Sequence, residues 1–304
     1  MREVSVGGAV AAGFRLIARE PLAFLVWAAL YGVVGIAPQM LGWAASLNTL
    51  SAVQAGAAAP TALAEAMGPM QRFQPVTLLT GGLSAMFLYG AAFRAMLYPD
   101  ERRYFYLRLG ARELWMALTT IVLFVIYILA IVAMMIPFGI IIFGASLTAG
   151  AGGAAAAIGL LIAVPLIFVA MGVIFWGFSR LSVAVPMSFA QRTFRIPEAW
   201  KMTKGHAGRI FLVMLALTAL VLLAEVLVVA LFAGVFSLFI PLADLGKLFS
   251  ENPAKLFSTI NPAVWALVAV IWSLFGTAAG ALFAGALAQI YSDLTGPAHA
   301  DVFS

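Results

Sequence analysis

Charged residues are scarce in this sequence, and the scarcity indicates its structural class. Only 10% of the 304 residues are Asp, Glu, Lys or Arg, whereas 64% are hydrophobic. A soluble globular domain carries about 25% charged residues, because its surface must face water. The composition therefore excludes an ordinary soluble fold and predicts that lipid covers most of the surface.

Cysteine is absent and there are only two histidines, which limits the kinds of catalytic and metal sites that the chain can form. Without cysteine, the chain can form no structural disulfide and perform no thiolate catalysis. The two histidines, His206 and His299, lie far apart in the sequence and do not have metal-ligand spacing. No catalytic or nucleotide-binding motif is recognisable either. We therefore expect no cofactor and a protein that is not an enzyme.

Long apolar runs dominate what is present. Six of them are long enough to cross a bilayer, whose apolar core needs about 20 helical residues. They cover residues 22–47, 76–97, 116–145, 154–178, 210–239 and 263–291. We predict an all-α integral membrane protein with six transmembrane helices that form a single membrane domain over residues 1–304.

The basic residues are distributed unevenly around these runs. Of the 17 Lys and Arg residues, 14 lie before the first run or around the second and fourth connections. The other three are Arg72, Lys247 and Lys255. Because Lys and Arg accumulate on the cytoplasmic side of membrane proteins, both termini are predicted to be cytoplasmic. Topology thus explains the net charge of +5, and we expect no nucleic-acid partner.

A short basic segment recurs before the odd-numbered runs. Residues 14–20 (FRLIARE) and 107–113 (LRLGARE) are identical at five of seven positions and start 93 residues apart. Residues 200–204 (WKMTK) form a weaker copy after another 93 residues. Each segment is typical of an amphipathic helix lying in the headgroup plane. We predict three interfacial helices, the first over residues 5–20, each followed by a transmembrane hairpin as a pseudo-repeat. The alternative is that polar flanks before any membrane span look similar.

Residues 196–211 (IPEAWKMTKGHAGRIF) resemble the SWxLTKGxxWRxF segment of a bacterial family of six-helix membrane proteins. That family includes the membrane domain of some glycerophosphoryl diester phosphodiesterases and related stand-alone proteins of unknown function. Residues 13–22 and 291–294 are similar to the start and end of the family pattern. The resemblance implies a location in the bacterial inner membrane. It implies no catalytic residue, because the phosphodiesterase chemistry of the fused relatives lies in a separate soluble domain.

Eight basic residues are candidates for contact with lipid headgroups. They are Arg15, Arg19, Arg94, Arg108, Arg112, Arg180, Lys201 and Lys204. A basic residue close to an anionic membrane surface contributes about 1 kcal/mol of binding free energy. We expect a non-catalytic protein that organises lipid, or a partner membrane protein, through its basic cytoplasmic segments. The alternative is a solvated positive-inside face without a specific ligand.

Glu225 lies inside the fifth apolar run, roughly 22 Å from its start at 1.5 Å per helical residue. An ionised acid at that depth costs about 2.5–3.5 kcal/mol, which suggests a reason for its presence. One interpretation is an ion or proton site of a small transporter or channel. The other is a structural carboxyl that is hydrogen-bonded to a neighbouring helix.

Small residues recur at every fourth position of the sixth run, at Gly276, Gly280, Ala284 and Ala288. Such a stripe lets another helix approach closely. It predicts either packing inside the protein or a homodimer contact.

Overall fold

The computed structural model describes residues 3–42, 60–148, 154–238 and 260–296, together with the single residues 241 and 244. These residues form helices joined by turns, with no strand among them. The helices are α1 Val6–Arg19, α2 Pro21–Tyr31, α3 Pro60–Leu97, α4 Ala111–Thr148, α5 Ala154–Leu181, α6 Ala184–Gln191, α7 Ile196–Met202, α8 Ala207–Ser237 and α9 Pro262–Thr295. The predicted all-α class is confirmed.

Six helical segments are long and apolar enough to cross a membrane. They are Pro21–Gly42, Gln71–Leu97, Arg103–Ile140, Val164–Gln191, Ala207–Ser237 and Pro262–Thr295. Each overlaps one predicted run, so the chain is a multi-pass membrane protein. Residues 43–47 of the first predicted run and residue 239 of the fifth lie outside the described part. The cytoplasmic placement of the termini stays a prediction.

The third of these segments illustrates why lipid must surround the protein. Only 6% of its most apolar stretch is buried, and its exposed side chains include Ile121, Phe124 and Leu129. Exposing such large side chains to water costs about 25 cal/mol for each Å² of apolar surface. Contact with lipid tails removes that cost.

The predicted interfacial helices are not confirmed as a set. Residues 6–19 do form a helix, but residues 107–110 of the second copy are not helical. The short 3₁₀ turn Arg103–Tyr106 precedes them, and α4 begins only at Ala111. The φ angles of Tyr104, Phe105 and Tyr106 are 53°, 55° and 65°, in the left-handed region where a right-handed helix cannot continue. The third copy provides only the seven-residue helix α7.

Helix α1 buries small residues, whereas its only phenylalanine is exposed. Phe14 is 48% exposed, whereas Ala12, Gly13 and Leu16 are buried. A side chain at Gly13 would overlap the backbone of Leu282 in α9. Glycine is therefore required where these two helices cross. Placement of α1 in the headgroup plane stays a prediction.

Two compact units can be distinguished within the chain. Unit 1 comprises Met1–Ala9, Leu109–Leu215 and Ala286–Ser304, and unit 2 comprises Val10–Arg108 and Ala216–Gly285. Each unit is assembled from segments far apart in sequence. The single membrane domain over residues 1–304 stays a prediction.

Within unit 2, the small-residue stripe of α9 is used for internal packing. A side chain on Gly276 would come within 2.6 Å of the Tyr31 ring, and one on Gly280 within 2.5 Å of Leu88. The hydroxyl of Ser273, one turn before Gly276, donates a hydrogen bond to the carbonyl of Ala28. Close approach of α9 to α2 and α3 therefore explains these two glycines, as expected for small-residue helix contacts.

Candidate functional site

The first component of the site is a break between two helices. Proline is favourable at the first position of a helix but disfavours helical geometry in the residue before it. Pro21 accordingly starts α2, and Glu20 is the single non-helical residue between α1 and α2, with φ −125° and ψ 56°. The side chain of Glu20 is buried although it lies in a strongly basic segment.

The carboxylate of Glu20 accepts hydrogen bonds from residues of the loop that follows α3. Arg102 donates from Nη2 over 2.7 Å and from Nε over 3.2 Å to Oε2 of Glu20. The hydroxyl of Tyr106 donates to Oε1 over 3.2 Å. The hydrogen bonds and charge of Glu20 raise the pKa of the Arg102 guanidinium. The α1–α2 junction is thereby joined to a loop more than 80 residues later.

Arg94 and Trp27 bond the backbone of the same loop. Arg94, in the last turn of α3, is only 4% exposed; its Nη1 donates to the carbonyl of Tyr106 over 3.0 Å. Its Nε lies 3.3 Å from a carboxylate oxygen of Glu101. The indole nitrogen of Trp27 donates to the carbonyl of Phe105 over 2.8 Å. Two consecutive loop carbonyls thus accept hydrogen bonds from transmembrane helices.

These bonds explain how the loop maintains an unfavourable backbone. A left-handed conformation costs about 1–2 kcal/mol for a residue with a side chain, and three successive residues adopt it here. A hydrogen bond from a charged donor contributes about 1.5–3 kcal/mol and a neutral one about 1 kcal/mol. The contacts from Arg94, Trp27 and Glu20 are of a size that offsets the strain.

We call residues 101–108 the basic-aromatic loop because of the side chains that they expose. Tyr106 is buried, but its neighbours Tyr104 and Phe105 are 76% and 45% exposed. The basic side chains Arg102, Arg103 and Arg108 are also exposed. Aromatic rings beside basic groups are the composition expected where a membrane protein meets headgroups.

Unit 1 contains a second buried guanidinium, with different neighbours. Arg180, near the end of α5, is 8% exposed, and its guanidinium lies 3.8 Å from the ring centroid of Trp200 and 5.3 Å from that of Trp176. Its Nη2 donates to the carbonyl of Trp200 over 2.8 Å, and its Nε to Thr203 Oγ1 over 3.3 Å. Arg180 therefore fixes the C-terminal end of α7.

The structure separates the eight predicted headgroup residues into two groups. Arg94, Arg112 and Arg180 are buried. The others are exposed, namely Arg15, Arg19, Arg108, Lys201 and Lys204. Since protein carbonyls accept the hydrogen bonds of Arg94 and Arg180, we leave the three buried arginines out of the candidate interface. Arg19 and Arg108 lie 3.8 Å and 3.9 Å from Glu20 and Glu101, at the margin of the basic-aromatic loop.

Sequence reasoning missed the residues that organise this loop, Glu20, Trp27, Glu101 and Tyr106. One signal was present in the sequence. The repeated segments end in Glu20 and Glu113, and both glutamates are buried in the structure. An acid at the same place in two copies of a basic segment is a candidate for a buried interaction.

Glu225 is half-buried in α8, and no hydrogen bond or ion pair joins it to another residue in the part of the chain that is described. Within the same part, no three His, Asp or Glu side chains are grouped closely enough to hold a metal ion. An ion or proton site at Glu225 stays a prediction.

Comparison with protein-family models, curated proteins and solved structures finds no match to this chain. The resemblance to the membrane domain of the phosphodiesterases therefore stays a prediction based on short motifs.

Proposed function

We propose that this chain is a non-catalytic protein of the bacterial inner membrane that binds anionic lipid headgroups through the basic-aromatic loop. Bound lipid would be organised around unit 2, and a partner membrane protein could be recruited to that lipid. The observation that carries the proposal is a strained loop whose backbone is fixed from inside while its basic and aromatic side chains point outward.

The exposed side chains of the loop have the chemistry of a headgroup site. Arg103 is exposed and pairs with no acid among the described residues. Arg102 retains an accessible guanidinium, 70% exposed, despite its bond to Glu20. Tyr104 and Phe105 supply rings that favour the membrane–water interface. Phosphate oxygens can accept hydrogen bonds from the guanidiniums while the rings insert between headgroups.

Helix α1 adds two basic side chains to the surface formed by the loop. Arg15 and Arg19 are exposed on α1, and Arg19 Nη2 donates to the carbonyl of Ala95 over 2.5 Å. This bond places a basic side chain of α1 at the end of α3, close to where the loop begins. With both termini cytoplasmic, as the distribution of basic residues predicts, the combined surface faces the cytoplasmic leaflet.

Fixing the loop in advance should favour lipid binding. A flexible loop loses conformational entropy on binding, at about 0.5–1.5 kcal/mol for each side chain that becomes ordered. Backbone strain of this kind is often associated with ligand sites. The contacts of Arg94, Trp27 and Glu20 order the loop backbone during folding, so binding would have to order only the exposed side chains.

The test is a lipid titration of the purified chain in a mild, uncharged detergent. Phosphatidylglycerol and phosphatidylcholine are added separately, and bound lipid is counted by native mass spectrometry. The double variant Arg103→Gln/Arg108→Gln should bind phosphatidylglycerol about 30-fold more weakly, at about 1 kcal/mol per basic residue. Phosphatidylcholine binding should be weak and unaltered.

Arg72→Gln provides the matched control. Arg72 is an exposed arginine of the same unit, in the part of α3 that is predicted to lie on the other side of the membrane. This variant should bind phosphatidylglycerol normally. Equal losses in the control and the double variant, or unchanged binding in both, would refute the proposal.

A further inference from the structure

Unit 2 contains a cavity of about 690 Å³ that the lipid-headgroup proposal does not use. Residues of α8 and α9 form one wall, whereas α3 and the helical segment at residues 36–42 form the other. The lining includes the side chains of Gln39, Gln74, Phe232, Phe236, Trp265 and Trp272. Its size lies within the range of small-molecule sites, roughly 300–1,000 Å³.

The wall formed by α8 and α9 is aromatic and well supported. The rings of Phe232 and Trp272 have centroids 6.0 Å apart, and those of Phe236 and Trp265 are 5.5 Å apart. Phe232 and Phe236 also belong to a buried hydrophobic cluster with Ile260 and Val264. Tilted ring pairs at these distances attract one another, so the wall is held in position before any ligand arrives.

The opposite wall provides polar groups without charge. Gln39 and Gln74 line the cavity, and neither side-chain amide is hydrogen-bonded to another residue that the structure describes. Thr77 also lines it, but its hydroxyl already donates to the carbonyl of Gln74 over 2.9 Å. Both glutamines are exposed, so each amide is available to donate and accept hydrogen bonds.

The described lining of the cavity is uncharged, and this limits the class of ligand that it can bind. No charged residue is found among the described residues that line the cavity. Glu225 lies on the same face of α8 but one helical turn beyond Val229, the lining residue nearest to it in sequence. An anionic or cationic headgroup would therefore find no countercharge among the described lining residues, in contrast to the basic-aromatic loop.

We propose that this cavity binds an uncharged amphiphile of the monoacylglycerol type. Its apolar chain would lie against Phe232, Trp265 and Trp272, and its hydroxyl or ester head would exchange hydrogen bonds with Gln39 and Gln74. Both glutamines lie in helices that can cross a membrane, so such a ligand could enter from the surrounding lipid.

The test uses the full chain in lipid nanodiscs and a photoreactive monoacylglycerol carrying a diazirine on its acyl chain. Labelled peptides are mapped by mass spectrometry, and labelling should be concentrated in residues 229–236 and 265–272. Excess unlabelled monoacylglycerol should displace it. Labelling spread evenly over the lipid-facing helices would overturn the proposal.

Two variants of α9 make the test specific. Ala269 lines the cavity, whereas Ala266 on the same helix is exposed and does not. Ala269→Phe fills the space and should reduce labelling at least tenfold, while Ala266→Phe should leave it unchanged. Equal labelling of the two variants would refute the cavity as the binding site.

A separate measurement tests whether Gln39 and Gln74 bind the polar head of the ligand. Gln39→Leu and Gln74→Leu replace exposed amides and should each weaken displacement by monoacylglycerol about fivefold, with little effect on displacement by an alkane of equal length. A fatty-acid anion or an alkyltrimethylammonium ion that displaces the probe better than monoacylglycerol would overturn the choice of an uncharged ligand.

Discussion

Arg94 and Arg180 occupy comparable places in the two units but are stabilised by different partners. Each lies in the last turn of a transmembrane helix, and each donates a hydrogen bond to the carbonyl of an aromatic residue in the following connection. Arg94 reaches Tyr106, 12 residues later, and Arg180 reaches Trp200, 20 residues later. A basic residue near the end of a membrane helix usually extends to the headgroups, but here both turn back into the protein.

The difference lies in what balances the positive charge. Glu101 lies 3.3 Å from Arg94, whereas no carboxylate pairs with Arg180 among the residues described. Two indole rings flank Arg180 instead, at 3.8 Å and 5.3 Å. A guanidinium can be buried with either partner, since its flat faces attract aromatic rings and its edges donate hydrogen bonds. The comparison suggests that the two sites will respond differently to substitution.

The largest effect is expected from Arg94→Met. The substitution preserves most of the side-chain volume but removes the donor to Tyr106 and the partner of Glu101. The buried carbonyl of Tyr106 then loses this donor and Glu101 loses its closer basic partner, so the loss of unfolding free energy should be about 3 kcal/mol. Thermal unfolding of the purified protein in mild detergent measures it.

Arg108→Met is the control for that experiment. Arg108 is 54% exposed and 3.9 Å from the same carboxylate of Glu101, so its loss should cost less than about 1 kcal/mol. If both variants unfold at the same temperature, burial of Arg94 is not what stabilises the loop.

A smaller effect is expected from exchanging arginine for lysine at the two sites. Lysine keeps the charge but has no planar group to lie against the rings of Trp176 and Trp200, so Arg180→Lys should lose about 1–2 kcal/mol. Arg94→Lys retains a cation beside Glu101 and should lose less. Thermal unfolding gives the energies, and the tryptophan emission maximum should change only in Arg180→Lys. The reverse order would contradict the role assigned to the rings.

The sequence predicted the transmembrane helices correctly because their signal is local. A run of apolar residues such as 116–140 has few alternatives to a membrane helix, whatever surrounds it. The basic-aromatic loop has no local signal of this kind. Tyr104, Phe105 and Tyr106 lack the glycine or asparagine that normally marks left-handed backbone, and their conformation depends on contacts such as Trp27 to Phe105, 78 residues apart.

The repeated segment is a second case in which local sequence does not predict the backbone conformation. Residues 14–20 and 107–113 are nearly identical, yet they adopt different structures. Glu20 is followed by Pro21 and interrupts the helix, whereas Glu113 is followed by Leu114 and lies in the first turn of α4. The residue that follows each glutamate accounts for the backbone at that glutamate only, and both glutamates are buried. The repeat therefore marks both acids as candidates for burial but does not predict the backbone around them.

The smallest effect is expected at the start of α7, the helix that carries Trp200. Arg195 Nη1 donates to Glu198 Oε1 over 3.0 Å, and both side chains are exposed by about two-fifths. The pKa of Glu198 is lowered by a hydrogen bond from its own backbone N–H and by Arg195. Because the folded pKa is below the unfolded one, the stabilisation is complete above the ordinary glutamate pKa of about 4.3. It is lost as the pH falls through the folded value.

Glu198→Gln removes this pH dependence without touching Arg180. Below the folded pKa of Glu198, the variant and the natural sequence should therefore unfold alike, whereas above pH 5 the variant should be slightly less stable than the natural sequence. Arg180→Lys should lower stability by the same amount at both ends of the range, since no carboxylate takes part in the stacking among the described residues. Unfolding temperatures measured between pH 3 and pH 7 compare the two. A pH-dependent loss in Arg180→Lys would mean that an acid balances Arg180 after all, and the contrast with Arg94 would disappear.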